Sequence, residues 1–244
     1  MAVPYDAMAS VYDRWNAQAD YRRWARFLHD RFSEAGGVRR VLDVCCGTGR
    51  MIGQLQELGY TAAGVDGSAE MLARARANVA PGTELRHARL PAEVAGEPAD
   101  AAISCFDSVN YFVSDADVSG LFRFVAGSLR PGGLYAFDVN SPHKLRTFYG
   151  NNHYGDDLGE FAYVWRNRID EPARRIQFLI TIFTAERDGY QRHEEIHEQR
   201  WFDRDELAAI AADAGFGVVA VTDNYSRQPA VEHTLRQTWL LKLG

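Results

Sequence analysis

Short apolar runs alternate with segments of helical periodicity over the first two thirds of the chain, the rhythm of a parallel sheet wound with helices. Residues 41–44 (VLDV) read as a first strand. Met51, Ile52, Leu55 and Leu58 then recur at helical spacing, up to Gly59 where a helix-ending glycine belongs. Residues 61–66 (TAAGVD) predict a second strand. Ser68 is placed to cap a helix over 68–79, with Glu70 at the positive end of its dipole. A short strand is expected around 84–90 and a fourth over 100–106. A helix follows over 115–129, stopped by the Arg-Pro-Gly-Gly of 130–133, and then a fifth strand over 134–140.

Beyond Ser141 the pattern changes. Residues 150–159 are polar and glycine-bearing, and two long extended runs follow, 161–169 and 174–187, joined through Asp170, Glu171 and Pro172. A third run covers 193–202. Asp203 and Glu206 are spaced as a capping box, ahead of the helical stripe Leu207, Ile210, Ala211 and Ala214. Residues 215–223 and 234–243 supply two last strands. The fold class expected is α/β, a doubly wound Rossmann-like, mostly parallel sheet with an added antiparallel β layer.

No repeat or linker interrupts the 244 residues, so one domain is expected. Its parts are a helical lid (1–35), a core (36–140), inserted antiparallel strands (150–202) and a C-terminal return to the core (203–244). The net charge of −6 is spread without blocks of one sign, which argues against a nucleic-acid partner. The opening residues lack a basic stretch followed by an apolar one, and no window is apolar enough for a membrane span. A cytoplasmic location with no membrane partner is expected. Cys45, Cys46 and Cys105 have neither disulfide-framework nor zinc spacing and read as small apolar residues.

The chemistry sits in the turn after the first strand, Cys45-Cys46-Gly47-Thr48-Gly49. Glycines there bring backbone N–H groups and a helix start close to a ligand. A dinucleotide fingerprint would need a third glycine where Ile52 stands, and no Lys follows as a P-loop requires. A nucleoside-like ligand without a pyrophosphate remains. Asp66, ending the second strand, is placed to accept hydrogen bonds from both ribose hydroxyls.

VLDVCCGTGR, GVDGSAEML, DAAISCFDSVNYF and LRPGGLYAFDV, taken in that order, closely resemble the class I S-adenosylmethionine-dependent methyltransferases, small-molecule branch. The resemblance implies S-adenosylmethionine as donor and S-adenosylhomocysteine as product. It implies that Asp43 steadies the loop and the methionine ammonium end, and that Gly47 and Gly49 let the backbone approach the ligand. Cys45 departs from the glycine many members carry. Gly67 and Ser68 would run along the adenine edge, with Met71 either its cover or core. Ala88, Arg89 and Leu90 stand where many relatives place an adenine-binding aspartate, and Cys105 completes the expected cofactor set.

Ligands of open α/β sheets lie beyond the carboxyl ends of the strands, so Phe106, Asp107, Asn110, Tyr111 and Asn140 are acceptor-wall candidates. Asp107 could equally cap the helix that follows. In the relatives resembled, an aromatic N-terminal helix folds over the cofactor, which makes Tyr12 the preferred lid residue and Trp15 a further acceptor contact. The alternative is a helix that only packs its aromatics. As a strand, residues 193–201 put His193, Glu195, His197, Gln199 and Trp201 on one face. His197 is a candidate general base, His143 a competing one, and no metal is expected.

In the run 174–187 both faces are apolar, Ile176, Phe178, Ile180 and Ile182 opposite Leu179 and Phe183. The second face could cover the acceptor or join a second subunit in a homodimer. The function expected is transfer of a methyl group by in-line displacement to oxygen or nitrogen of a small molecule, with secondary metabolism as its setting. The rivals are a non-catalytic adenosylmethionine-binding or regulatory protein of the same fold, a nicotinamide oxidoreductase and a macromolecular methyltransferase.

Overall fold

The computed structural model describes residue 5, residues 7–92 and residues 96–244; residues 1–4 and 6 of the expected lid lie outside these. A 3-10 turn (Met8–Ser10) leads into α1 (Tyr12–Trp15) and α2 (Tyr21–Ala35). The core then runs β1 (Arg40–Val44), α3 (Arg50–Glu57), β2 (Thr61–Asp66), α4 (Ala69–Asn78), β3 (Leu85–His87) and β4 (Ala99–Ser104). A 3-10 turn (Ser108–Tyr111) precedes α5 (Asp115–Ser128) and β5 (Leu129–Asn140). The added strands are β6 (His153–Asp157), β7 (Phe161–Asp170), β8 (Arg175–Glu186) and β9 (Gly189–Arg200), followed by α6 (Arg204–Asp213), β10 (Phe216–Asp223) and β11 (Arg236–Leu243).

Seven strands form one sheet in the order β10-β11-β5-β4-β1-β2-β3. β11 is antiparallel to both its neighbours, while the pairs from β5 through β3 are parallel. Alternation decides which side chain enters which layer. Leu134, Ala136 and Leu240 pack with α2 and α3, whereas Tyr135, Phe137, Val139, Trp239 and Leu241 pack with α5 and α6. The ring of Trp239 stacks on Phe137, its cross-strand partner, at 5.8 Å. The order reverses between β1 and β4, which opens a crevice at their carboxyl ends.

The second sheet is wholly antiparallel, β6-β7-β8-β9. Ile176, Phe178, Ile180 and Ile182 bury one face of β8 with Met8, Val11, Leu145 and Trp201. On β9 the buried residues are Glu195, His197 and Gln199, while Ile196 on the other face is 62% exposed. No helix among the described residues is long and apolar enough to cross a membrane.

Four details depart from the sequence reading. β6 occupies what reads as a polar loop; it is an edge strand with mostly exposed side chains, so burial imposes no alternation on it. The third strand is cut to Leu85–His87. Residues 144–149 form a π-helical turn. Arg130–Gly133 lies inside β5 as an irregularity, because the pairing with β4 shifts between Ala99 and Ala101 and Gly132 takes up φ +77°.

Candidate active site

The turn after β1 is built by backbone bonds. The N–H groups of Cys45 and Cys46 both donate to the carbonyl of Val65, at 2.9 and 3.1 Å. Cys45 is forced to φ +66° and Gly47 to +52°; a side chain at φ > 0 costs about 1 kcal/mol or more, which is why glycine suits position 45 better. A Cβ on Gly47 would meet nothing within 4 Å, so its bare backbone faces open space. Gly49 differs, because a Cβ there would lie 2.9 Å from Val79 Cγ1. Its missing side chain admits the end of α4 and not a ligand.

Beyond the turn lies a cavity of about 350 Å³. Of the expected cofactor residues, Asp43, Cys45, Gly47, Asp66, Gly67, Ser68, Met71, Arg89, Leu90 and Cys105 line it. Gly49 and Ala88 do not; the Ala88 N–H donates to the carbonyl of Asp66 at 2.9 Å and so aligns β3 with β2. Asp66 accepts the N–H of Gly47 at 2.7 Å on one oxygen and that of Ser68 at 2.9 Å on the other. Burial raises its pKa, partly offset by these amides. Asp43 is 2% exposed, and its carboxylate has no hydrogen-bond partner among the described residues. Burial, with Asp66 nearby, pushes its pKa up to about 8. The expectation that Asp43 steadies the loop is therefore corrected, since Val65 and Asp66 do that, and Asp43 is left facing the cavity.

Three residues absent from the expected set bind the N-terminal segment to this turn. Thr48 donates its hydroxyl to Asp13 at 2.6 Å, and Asn78 donates to the other Asp13 oxygen at 3.0 Å. Tyr5, Tyr12 and Tyr21 consequently form an aromatic roof on the cavity.

A second cavity, about 160 Å³, meets the first at Tyr5, Tyr12, Phe106 and Tyr111. Trp15, Asp107, Asn140 and His197 also line it, with Gln199, Arg236, Tyr149 and Trp165. Asp138, fully buried, organises its floor. It accepts from the backbone N–H of Phe106 at 2.7 Å and of Asp107 at 2.8 Å, from the Tyr225 hydroxyl at 2.5 Å and from Arg236 at 2.5 Å. These bonds hold Phe106 and Asp107 at φ +64° and +54°. Asp107 in turn accepts from Arg236 at 3.2 Å and Gln199 at 2.6 Å, so it faces the cavity and caps no helix through its side chain. Burial raises its pKa, with Arg236 and Lys144 acting against.

Asn110 is a bracket for the backbone: its amide donates to the carbonyls of Asn140 and Arg200 and accepts the Asn140 N–H at 2.8 Å. It lines neither cavity. The same holds for His143, whose ring packs on His233 at 5.0 Å. His197 is the histidine of the pair that reaches the site, with Nε2 2.6 Å from Glu195 and Nδ1 3.1 Å from the Tyr111 hydroxyl.

A crevice at the β1/β4 switch, a glycine turn, and an acid ending β2 define a nucleoside-binding α/β enzyme. A methyltransferase domain profile matches residues 41–133. YqeM of Bacillus subtilis (strain 168), which carries a provisional methyltransferase name, is 30% identical over 225 residues, 91% of this chain and 90% of its own. The S-adenosylmethionine-dependent methyltransferase of Clostridium acetobutylicum ATCC 824 superposes with a TM-score of 0.88 at 28% identity, over 98% of this chain and 99% of that one. The sugar N-methyltransferase KedS8 of Streptoalloteichus sp ATCC 53650 gives 0.80 at 25% identity, over 100% and 96%. The chain belongs to the class I S-adenosylmethionine-dependent methyltransferases. It is an enzyme whose cofactor is S-adenosylmethionine and whose cofactor product is S-adenosylhomocysteine, which removes the non-catalytic and nicotinamide alternatives. The residues fit that group: a buried carboxylate without a partner suits a cation, and the open face of Gly47 leaves room beside it.

Proposed function

We propose that this methyltransferase acts on nitrogen in a small polar amine. The observation that carries the reading is the second cavity, small, walled by aromatic rings and floored by the Asp107 carboxylate, opening onto the first between Tyr5, Tyr12, Phe106 and Tyr111. Aromatic faces attract an ammonium group, and the Asp107 carboxylate, already paired with Arg236, keeps lone pairs that can accept an N–H. The named activity of KedS8, a sugar N-methyltransferase, supports the same substrate class. A cavity of about 160 Å³ suits a small acceptor group.

On this reading Asp66 holds the ribose hydroxyls, Asp43 faces the cationic methionine end, and Gly67, Ser68, Met71, Arg89 and Leu90 surround the adenine. Bound there, S-adenosylmethionine supplies a methyl group activated on a positively charged sulfur. The chain's part is alignment and exclusion of water. Tyr12 and Trp15 close the cavities from above, Trp15 being stacked on Tyr163 at 4.2 Å and so held in place by the added sheet. Phe106, its backbone fixed by Asp138, lines both cavities where they meet. A protonated amine has no lone pair to attack with, so the site must also remove a proton.

The cytoplasmic setting and the homodimer belong to this reading too. Val164 and Ile196 stay exposed on the outer face of the added sheet, which favours a second copy there; a monomeric mass in solution removes that part alone. For the acceptor, purified enzyme is incubated with S-adenosylmethionine and a panel of amino sugars, amino acids and their hydroxyl counterparts, with S-adenosylhomocysteine formation as readout. Turnover confined to amines is expected. Turnover of hydroxyl compounds with inert amines contradicts the assignment.

A further inference from the structure

We propose that Tyr5, Tyr111 and His197 form a proton relay leading out of the acceptor cavity, with Glu195 as the positioning residue that sets its direction. The inference rests on the amine reading above. Glu195 is buried and receives three donors, the backbone N–H of Tyr5 at 3.0 Å, of Ala7 at 2.7 Å and of Met8 at 2.9 Å, and lies 2.6 Å from Nε2 of His197. Backbone amides can only donate, and three of them converging on one carboxylate beside His197 favour its ionised form. Nε2 of His197 therefore carries the proton, and Nδ1 keeps its lone pair.

The rest follows by elimination. Tyr111 lies 3.1 Å from Nδ1 and has one proton, which it donates there. The Tyr5 hydroxyl, 2.5 Å away, must then donate to the Tyr111 oxygen. The oxygen of Tyr5 is left with lone pairs at the junction of the two cavities, which both Tyr5 and Tyr111 line. An acceptor N–H can donate to it. In the transfer that N–H bond breaks and its proton passes to Tyr5; the Tyr5 proton passes to Tyr111, and that of Tyr111 to Nδ1. One N–H bond is lost and one is formed, the amine gains its lone pair, and the imidazolium is offset by Glu195. The proton returns by the same route after product leaves.

Burial holds the pKa of Tyr5 and Tyr111 above the usual tyrosine value, so neither rests as an anion and each only hands a proton on. Burial opposes ionisation of Glu195, but the bonds from His197 and the amides bring its pKa below the ordinary value. The titratable groups facing His197 are Glu195 from β9, Tyr111 from the 3-10 turn and Tyr5 from the N-terminal segment, with Tyr12, Asp107, Tyr149 and Arg236 lining the same cavity and apolar Phe178 opposite on β8. Glu195 also fastens the N-terminal segment, so the relay exists only while that segment is docked.

The test uses full-length enzyme labelled with ¹⁵N-histidine and saturated with S-adenosylhomocysteine, the His197 signal being assigned by its loss in His197→Gln. A bare Nδ1 with a protonated Nε2 at neutral pH is expected; a proton on Nδ1 overturns the relay whatever the acceptor is. With an amine turned over by the wild type, Tyr111→Phe is expected to lower kcat by about 100-fold with little change in acceptor KM, in line with general acid–base effects. Tyr111→Phe with unchanged kcat, or with loss in KM alone, overturns the relay. If no amine is methylated, the amine reading falls and takes the relay with it, while the histidine tautomer result stands as a separate finding.

Discussion

Asp66 accepts the Gly47 N–H at 2.7 Å, so the acid closing β2 also fixes the turn leaving β1. Asp66→Ala removes the proposed ribose contact and this brace together. Charge-assisted hydrogen bonds contribute about 1.5–3 kcal/mol, so donor affinity is expected to weaken by roughly 10- to 100-fold. Calorimetric titration with S-adenosylhomocysteine checks this; unchanged affinity in a folded variant contradicts the placement of the ribose.

Asp43 makes donor binding pH-dependent. Its pKa in the free protein is raised to about 8, chiefly by burial, against about 3.9 for an unfolded chain. Between those values the folded state holds a proton that the unfolded state releases, so this residue lowers stability as pH rises from about 4 to about 8. A cation opposite the carboxylate expels that proton. Titrations with S-adenosylmethionine at pH 7 in buffers of different ionisation enthalpy should show proton release. Asp43→Asn should abolish the release, weaken binding, and raise thermal stability of the free protein at pH 8. No released proton in the wild type contradicts this assignment.

Gly47 and Gly49 should separate in their effects. At Gly49 a Cβ meets Val79 and Ala75 and φ is +73°, so Gly49→Ala is expected to cost about 1–2 kcal/mol of stability or more, with a smaller effect on ligand affinity. At Gly47 a Cβ has room in the empty cavity and only the backbone cost of φ +52° applies, so Gly47→Ala should lose less stability than Gly49→Ala and weaken the donor more. Denaturant unfolding and ligand titration of both variants read the two quantities separately; equal profiles contradict the distinction.

Asp138 should be the most stability-sensitive polar residue of the floor. Removing one partner of a buried ion pair costs about 3–5 kcal/mol, and Asp138→Ala also releases the backbone of Phe106 and Asp107 from left-handed φ. Urea unfolding should show a loss of that size, against a smaller loss for Tyr225→Phe, which removes one hydrogen bond. A loss below 1 kcal/mol for Asp138→Ala contradicts the role.

The donor side was legible because its residues are close in sequence: a strand, a glycine turn and an acid some twenty residues on share one local geometry. Alternation likewise placed Glu195, His197 and Gln199 together on β9. The acceptor floor was not legible. Arg236 sits in a run that reads as strand, and its partners Asp107 and Asp138 lie 129 and 98 residues away, so no local spacing announces the pairs. Asp13 was equally silent, since its bonds to Thr48 and Asn78 arise only when the N-terminal segment folds back. Gly49 was misread because a glycine needed for helix packing looks, in sequence, like one needed for a ligand. His143 follows β5 as an acceptor residue would, yet its ring packs on His233, and it is Tyr149 at the end of the π-helical turn that reaches the second cavity.

The central claim is methyl transfer to nitrogen inside a closed cleft. Its most direct test gives the enzyme ¹³C-methyl-labelled S-adenosylmethionine with the best amine of the panel and reads the product by heteronuclear NMR. The labelled methyl is expected at a shift typical of carbon bonded to nitrogen, and to disappear when Tyr12 and Asp107 are replaced together. A signal typical of carbon bonded to oxygen, or an unaltered yield from that double variant, would contradict the account.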